Sequence, residues 1–152
     1  MSAEARLAEL GLMLPEPPRP AGLYAPTAAW GGFLFTAGQV PFRDGQVAYR
    51  GKLGRDLTVE EGRAAARLAA LNGVAAARRH LGSLDLVTRV VRLTVYVASA
   101  EGFTAQPAVA DGASELLREL WGEAGVAARS AVGVAELPLG AAVEVELTFA
   151  MA

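Results

Sequence analysis

The stretch from Arg129 to Phe149 constrains this chain most. It alternates apolar and polar residues at period two on both sides of a Leu137-Pro138-Leu139-Gly140 break. Alternation of this kind marks half-buried strands, and a Pro/Gly-containing break between two such runs is a hairpin signature. In the first run Val132 and Val134 point one way, while Arg129, Ala131 and Gly133 point the other. In the second run Val143, Val145, Leu147 and Phe149 make an apolar face opposed by Glu144, Glu146 and Thr148. If both valine faces share one core, parity places Arg129 on the same side as Glu144 and Glu146. The pairing register is left to the turn.

Ala131 and Gly133 are small, so the sheet surface beside Arg129 is a bare floor with carboxylates on the next strand. A guanidinium there suits a small carboxylate ligand, because its planar fork gives two parallel hydrogen bonds to a carboxylate. The competing reading is a solvated strand face carrying an Arg–Glu surface pair that contributes little.

The rest of the chain narrows the class of function. A chain of 152 residues is long enough for one domain with a real core, and 53% hydrophobic against 20% charged residues excludes general disorder. So much apolar surface in a short chain also points to burial between subunits. A net charge of −2 without a basic cluster leaves no electrostatic footprint for nucleic acid. The absence of cysteine removes thiolate chemistry and disulfides, and the single histidine, His80, reads as a helix C-terminal cation. A metal site is therefore not expected. The N-terminus lacks the apolar core of a signal peptide and no apolar run is long enough to span a membrane, so the expectation is a cytoplasmic protein.

Taken in order, residues 3–10 read as a short helix closed by Gly11. The prolines between Pro15 and Pro20 then force an extended arm, with residues 1–22 lying on the body. Phe33 to Ala37 reads as a strand, and Arg43-Asp44-Gly45-Gln46 as a turn into a short strand around Val47-Ala48-Tyr49. Thr58-Val59-Glu60-Glu61 has the form of a capping box and opens a helix over 59–81 that Gly82 ends. Its small-residue face, through Ala65, Ala69, Asn72 and Ala76, suits close packing on a sheet or on another helix. Val87 to Val97 alternates as a long strand. A second helix is expected after Ser99, interrupted near Gln106-Pro107 and again loosened at Asp111-Gly112, running to Trp121. The resulting order β, β, β, α, β, α, β, β is an α+β layer fold with two helices on one face of a mixed sheet. The other face is expected to be covered by other copies of the chain.

Over nearly its whole length the chain resembles the Rid family (RidA/YjgF-like, also called L-PSP endoribonuclease-like). The residues carrying the resemblance are Tyr24, Thr36-Ala37-Gly38-Gln39-Val40-Pro41, Leu71-Asn72, Leu81-Gly82-Ser83-Leu84-Asp85, Val95-Tyr96-Val97, Arg129-Ser130-Ala131-Val132, and Leu137-Pro138 with Val143-Glu144-Val145-Glu146. The resemblance implies a chorismate-mutase-like fold, a homotrimer with clefts between subunits, and cofactor-free hydrolysis of 2-imino or enamine acids to 2-keto acids and ammonia. It implies a carboxylate-binding role for Arg129, a water-handling role for Glu144, and a site-lining role across the interface for Tyr24. Gly38 falls on a backbone-donor position. Ala37 stands where a serine is usual, Ala131 where a cysteine is common, Asp111 where an asparagine is usual, and Ala127 where a subgroup places a histidine. A non-catalytic module that holds a keto acid or amino-acid-like metabolite in the same clefts is the rival reading. The ribonuclease label borne by some relatives fits poorly with the acidic charge and lone His80.

Overall fold

The computed structural model describes residues 1–152. Helix α1, Ala3–Glu9, starts at Ser2, whose hydroxyl accepts from the Ala5 N–H, and buries Ala3 and Leu7. Glu4 ties it to the body by accepting from Arg78 Nε and from the Leu84 N–H, both at 2.9 Å. The capping box forms as its residue types require: the Thr58 hydroxyl accepts from the Glu61 N–H, and Glu61 accepts from the Thr58 N–H. It opens α2, Val59–Leu81, and Gly82 closes the helix at φ 83°, a left-handed conformation that suits glycine.

One sheet carries five strands in the order β1-β2-β7-β5-β6. They are β1 (Thr27–Trp30), β2 (Phe33–Thr36), β5 (Val87–Ala98), β6 (Ala128–Val134) and β7 (Val143–Met151). Two short strands, β3 (Phe42–Arg43) and β4 (Gln46–Val47), form a separate hairpin. All pairings in the main sheet are antiparallel except β5 with β6, which is parallel and joined by a crossover through α3, Gln106–Trp121. Helices α2 and α3 cover one face, and Phe149, Leu93, Val95 and Val97 of the sheet are fully buried beneath them. Both packing roles expected of the small face of α2 are realised, since the helix contacts α3 and β7 alike.

Three expectations are corrected. The Arg129–Phe149 stretch is not a hairpin, because β5 lies between its two strands. Its parity also inverts: Arg129, Ala131 and Gly133 register with Leu93, Val95 and Val97, and Val145 registers with Val95. The small residues therefore face the helices, because α3 passes over them, while Val132 and Val134 share the open face with Glu144 and Glu146. Finally, α3 begins at Gln106 rather than after Ser99. Pro107 sits in its first turn, where the missing N–H costs nothing, and Gly112 lies inside unbroken helix.

Gly112 is there for space. A side chain at this position would drive into the backbone carbonyl of Arg63 on α2. Alanine favours helix by ~1 kcal/mol over glycine, but overpacking against immovable backbone costs ~1–3 kcal/mol or more. Gly112→Ala is expected to lose stability despite its better propensity, by about 1–2 kcal/mol, read as a fall in thermal midpoint of roughly 2–8 °C.

Candidate functional site

The residues named from sequence fall into two groups on opposite faces of the sheet. Glu144 stands on the open face of β7. The segment after β2 is pinned beside it: Gln39 and Val145 exchange both backbone hydrogen bonds, at 2.8 and 2.9 Å. Gly38 then lies directly against the Glu144 carboxylate, and a β-carbon there would collide with Glu144 Oε1. A side chain at 38 would displace the Glu144 carboxylate from the position it holds, and the Gly38 N–H has no partner within the chain. Ala37 next to it donates its N–H to the Pro26 carbonyl at 2.9 Å, so it positions the segment through its backbone.

Asn72 holds the other end of that segment. Fully buried on α2, it donates from Nδ2 to the carbonyls of Val40 and Phe42, each at 3.1 Å. Sequence reading placed Asn72 on the small face of α2 and among the family motifs, without a partner for its side chain. A polar side chain alone among alanines was the signal that it had a partner to satisfy.

Tyr24 completes this group. A cavity of about 170 Å³ is bounded by Tyr24, Gly38 and Glu144, with the proline arm at Pro18 and Pro20 and the Pro138-Leu139 turn at its rim. The Tyr24 hydroxyl accepts from the Ala21 N–H at 3.2 Å, which folds the end of the arm over the cavity. Tyr24 and Glu144 thus belong to one cavity of one chain. Burial, together with the like charge of Glu146, pushes the Glu144 carboxyl above its ordinary value. Glu146 itself accepts from the Tyr96 hydroxyl at 2.9 Å.

Arg129 lies on the helix face of the edge strand β6. Its Nη1 donates to Asp111 Oδ1 at 2.7 Å and to Ser114 Oγ at 3.1 Å, and its Nη2 to the Pro107 carbonyl at 3.3 Å. Of its three nitrogens only Nε has no partner within the chain. Asp111 and Ser114 are three residues apart on α3 and so share a helix face. That spacing could have marked Ser114, which sequence reading missed. A second cavity, about 340 Å³, opens here beside Arg129, Asp111, Ser114, Ala127 and Arg118. Ala131 follows Arg129 on the same face and packs against the core.

The two groups do not meet within one chain. Strand β5 separates Glu144 from Arg129, and their registers on it, Tyr96 and Leu93, differ by three residues. Strand spacing and rise put their backbones on the order of 14 Å apart, with side chains directed oppositely. No group of histidine, cysteine or carboxylate side chains has the makings of a metal site. No helix is long and apolar enough to cross a membrane.

Residues 4–151 match the family profile described as "YjgF/chorismate_mutase-like, putative endoribonuclease". Protein TCP17 of Trypanosoma cruzi is 48% identical over 143 residues, covering 93% of this chain and 89% of that protein. A crystal structure of a Shewanella oneidensis MR-1 protein that bears the same endoribonuclease description superposes with a TM-score of 0.96 at 37% identity, covering 99% of this chain and 100% of that one. E. coli TdcF, solved with bound serine, shares the fold at a TM-score of 0.64 and 24% identity, covering 90% of this chain and 94% of that one. Matched almost end to end in sequence and in the order of its strands and helices, the chain belongs to the YjgF/chorismate-mutase-like family, the Rid family that its motifs resemble.

Proposed function

We propose that this protein hydrolyses reactive 2-imino acids, or their enamine tautomers, to 2-keto acids and ammonia at sites between the subunits of a homotrimer. The observation that carries this reading is the Glu144 cavity: a half-buried carboxylate of raised proton affinity beside the unpartnered Gly38 N–H. Family membership supports it, as does the small amino acid bound by TdcF in the same fold.

The chemistry asks for orientation, water and proton movement. The imine carbon is already electrophilic. Glu144 accepts a proton from water as it attacks that carbon and returns it to nitrogen; the adduct's C–N bond then breaks, its hydroxyl proton passing to Glu144, to leave the 2-keto acid and ammonia. The Gly38 N–H donates to the substrate and Tyr24 closes the cavity wall. Arg129 holds the carboxylate and fixes the attack geometry, which by itself can supply a large share of such a rate gain. Because Arg129 faces away from Glu144 in one chain, the site takes its arginine from a neighbouring copy. The open sheet face, where Trp30, Phe33, Phe35 and Val132 are exposed, gives those copies an apolar surface to bury. Light scattering is expected to report three chains per particle at micromolar concentration; a monomer there would remove the intersubunit site.

The roles of Arg129 and Glu144 separate experimentally. With 2-iminopropanoate generated enzymatically, the protein is expected to accelerate its decay. Arg129→Lys keeps the charge but loses the two-pronged match, weakening pyruvate binding by about 1.5–3 kcal/mol, roughly ten- to a hundredfold. Glu144→Gln is expected to keep pyruvate binding and cut imine hydrolysis by about 10²-fold or more. An active wild type with an equally active Glu144→Gln variant would make Glu144 a strand residue only. A wild type that binds pyruvate without hydrolysing the imine would favour the binding-module reading.

The pH dependence follows from the direction of the Glu144 shift. A general base must be ionised, so activity falls as pH drops through its pKa, which burial and Glu146 raise. Glu146→Gln removes the like charge, lowers that pKa, and is expected to move the acid limb of the pH–rate profile to lower pH.

A further inference from the structure

The proline arm carries a charge that the chemistry at Glu144 leaves unused. Arg19 stands between Pro18 and Pro20. Pro18 has a fixed φ, and Pro20 restricts the residue before it to extended backbone, so this stretch has few conformations open to it. The arm is also pinned on either side of Arg19. Glu16 accepts from Arg79 Nη1 at 2.8 Å, and the Ala21 N–H donates to the Tyr24 hydroxyl. Arg19 itself is exposed, and its guanidinium makes no hydrogen bond or ion pair within the chain. An exposed arginine is ordinary, but the place of this one is not. Arg19 and Glu144 are the only charged residues lining the same cavity of about 170 Å³.

These two opposite charges do not pair. A cation close to Glu144 would lower its proton affinity, yet burial and Glu146 raise it. Arg19 therefore serves the rim of the cavity rather than the reacting carbon. Val40, Phe42, Pro138 and Leu139 give the rest of the lining an apolar character that suits methylene groups. With the C1 carboxylate held by Arg129 of a neighbouring copy, Arg19 is left for the other end of the substrate. Its planar fork matches a second carboxylate there. We propose that Arg19 is a specificity-determining residue that makes the site select 2-imino and 2-keto acids whose side chain ends in a carboxylate. The inference rests on the reading of the Glu144 cavity as the substrate site, with Arg129 as anchor of the C1 carboxylate.

2-Oxoglutarate and 2-oxopentanoate share a carbon skeleton and differ at its far end by carboxylate against methyl, so their affinity ratio reads the effect directly. Titration calorimetry on the assembled protein is expected to show wild type preferring 2-oxoglutarate by about tenfold or more. Arg19→Gln is expected to bring the ratio close to one, through loss of the dicarboxylate. Arg19→Lys, which keeps the charge without the fork, is expected to fall between the two. Because Arg19 meets no other side chain, both changes leave the contacts of the fold in place. A wild type without the preference, or one whose preference survives Arg19→Gln, overturns the proposal even if Arg129→Lys weakens both ligands as the anchor role requires. Equal weakening of both ligands by Arg19→Gln overturns it too, since Arg19 would then hold the C1 carboxylate. If Arg129→Lys changes neither affinity, or wild type binds neither molecule, the reading of the site fails and this inference with it.

Discussion

The parallel pairing of β6 with β5 is the constraint on which the rest of the structure depends. Strand β5 is hydrogen-bonded on both sides, to β7 antiparallel and to β6 parallel, so its alternation dictates the faces of both neighbours. Leu93, Val95 and Val97 point into the core and take Arg129, Ala131 and Gly133 with them. A parallel pair needs a crossover, and α3 is that crossover, lying over the small residues of β6. Arg129 thereby comes within reach of Asp111 and Ser114, and Glu144 is sent to the opposite face.

The two ionisable residues of most interest consequently sit in opposite electrostatic circumstances. Arg129 is mostly covered by α3, and an unpaired guanidinium in that place would carry a desolvation cost of several kcal/mol. Asp111, Ser114 and the Pro107 carbonyl meet it there. Glu144 pairs with no cation within its own chain. It is half-buried and Glu146 stands two residues away on the same face, so its carboxyl holds a proton more firmly than usual. A base of this kind and an anchor of that kind complement each other only when two chains meet, and the exposed aromatic residues of the open face lie where such a meeting would bury them.

Small residues make both arrangements possible. Gly38 admits the Glu144 carboxylate, Gly112 admits the backbone of Arg63, and a β-carbon at Gly73 would meet Leu147 where α2 lies on β7. Each removes a β-carbon from a place where two elements approach more closely than side chains permit. The alanine-rich interior of α2 serves the same purpose along its whole length.

Local signals in the sequence determined the helix α2 to the residue at both ends, because the Thr58–Glu61 capping box and the left-handed Gly82 act within a few residues. They also determined the strand character of β5, β6 and β7, since period-two alternation is a property of a single strand. The family motifs pointed to Tyr24, Gly38, Arg129, Asp111 and Glu144, and the structure brings the first two beside Glu144 and joins Arg129 to Asp111. What tertiary structure alone decided is which face of each strand is buried. Alternation is symmetric under exchange of the faces, and valine is equally at home against a helix or against another subunit. The choice fell to the edge position of β6 and to α3, which needs alanine and glycine beneath it. The start of α3 at Gln106 and the two carbonyls held by Asn72 were likewise settled by contacts distant in sequence, where no local pattern carries information.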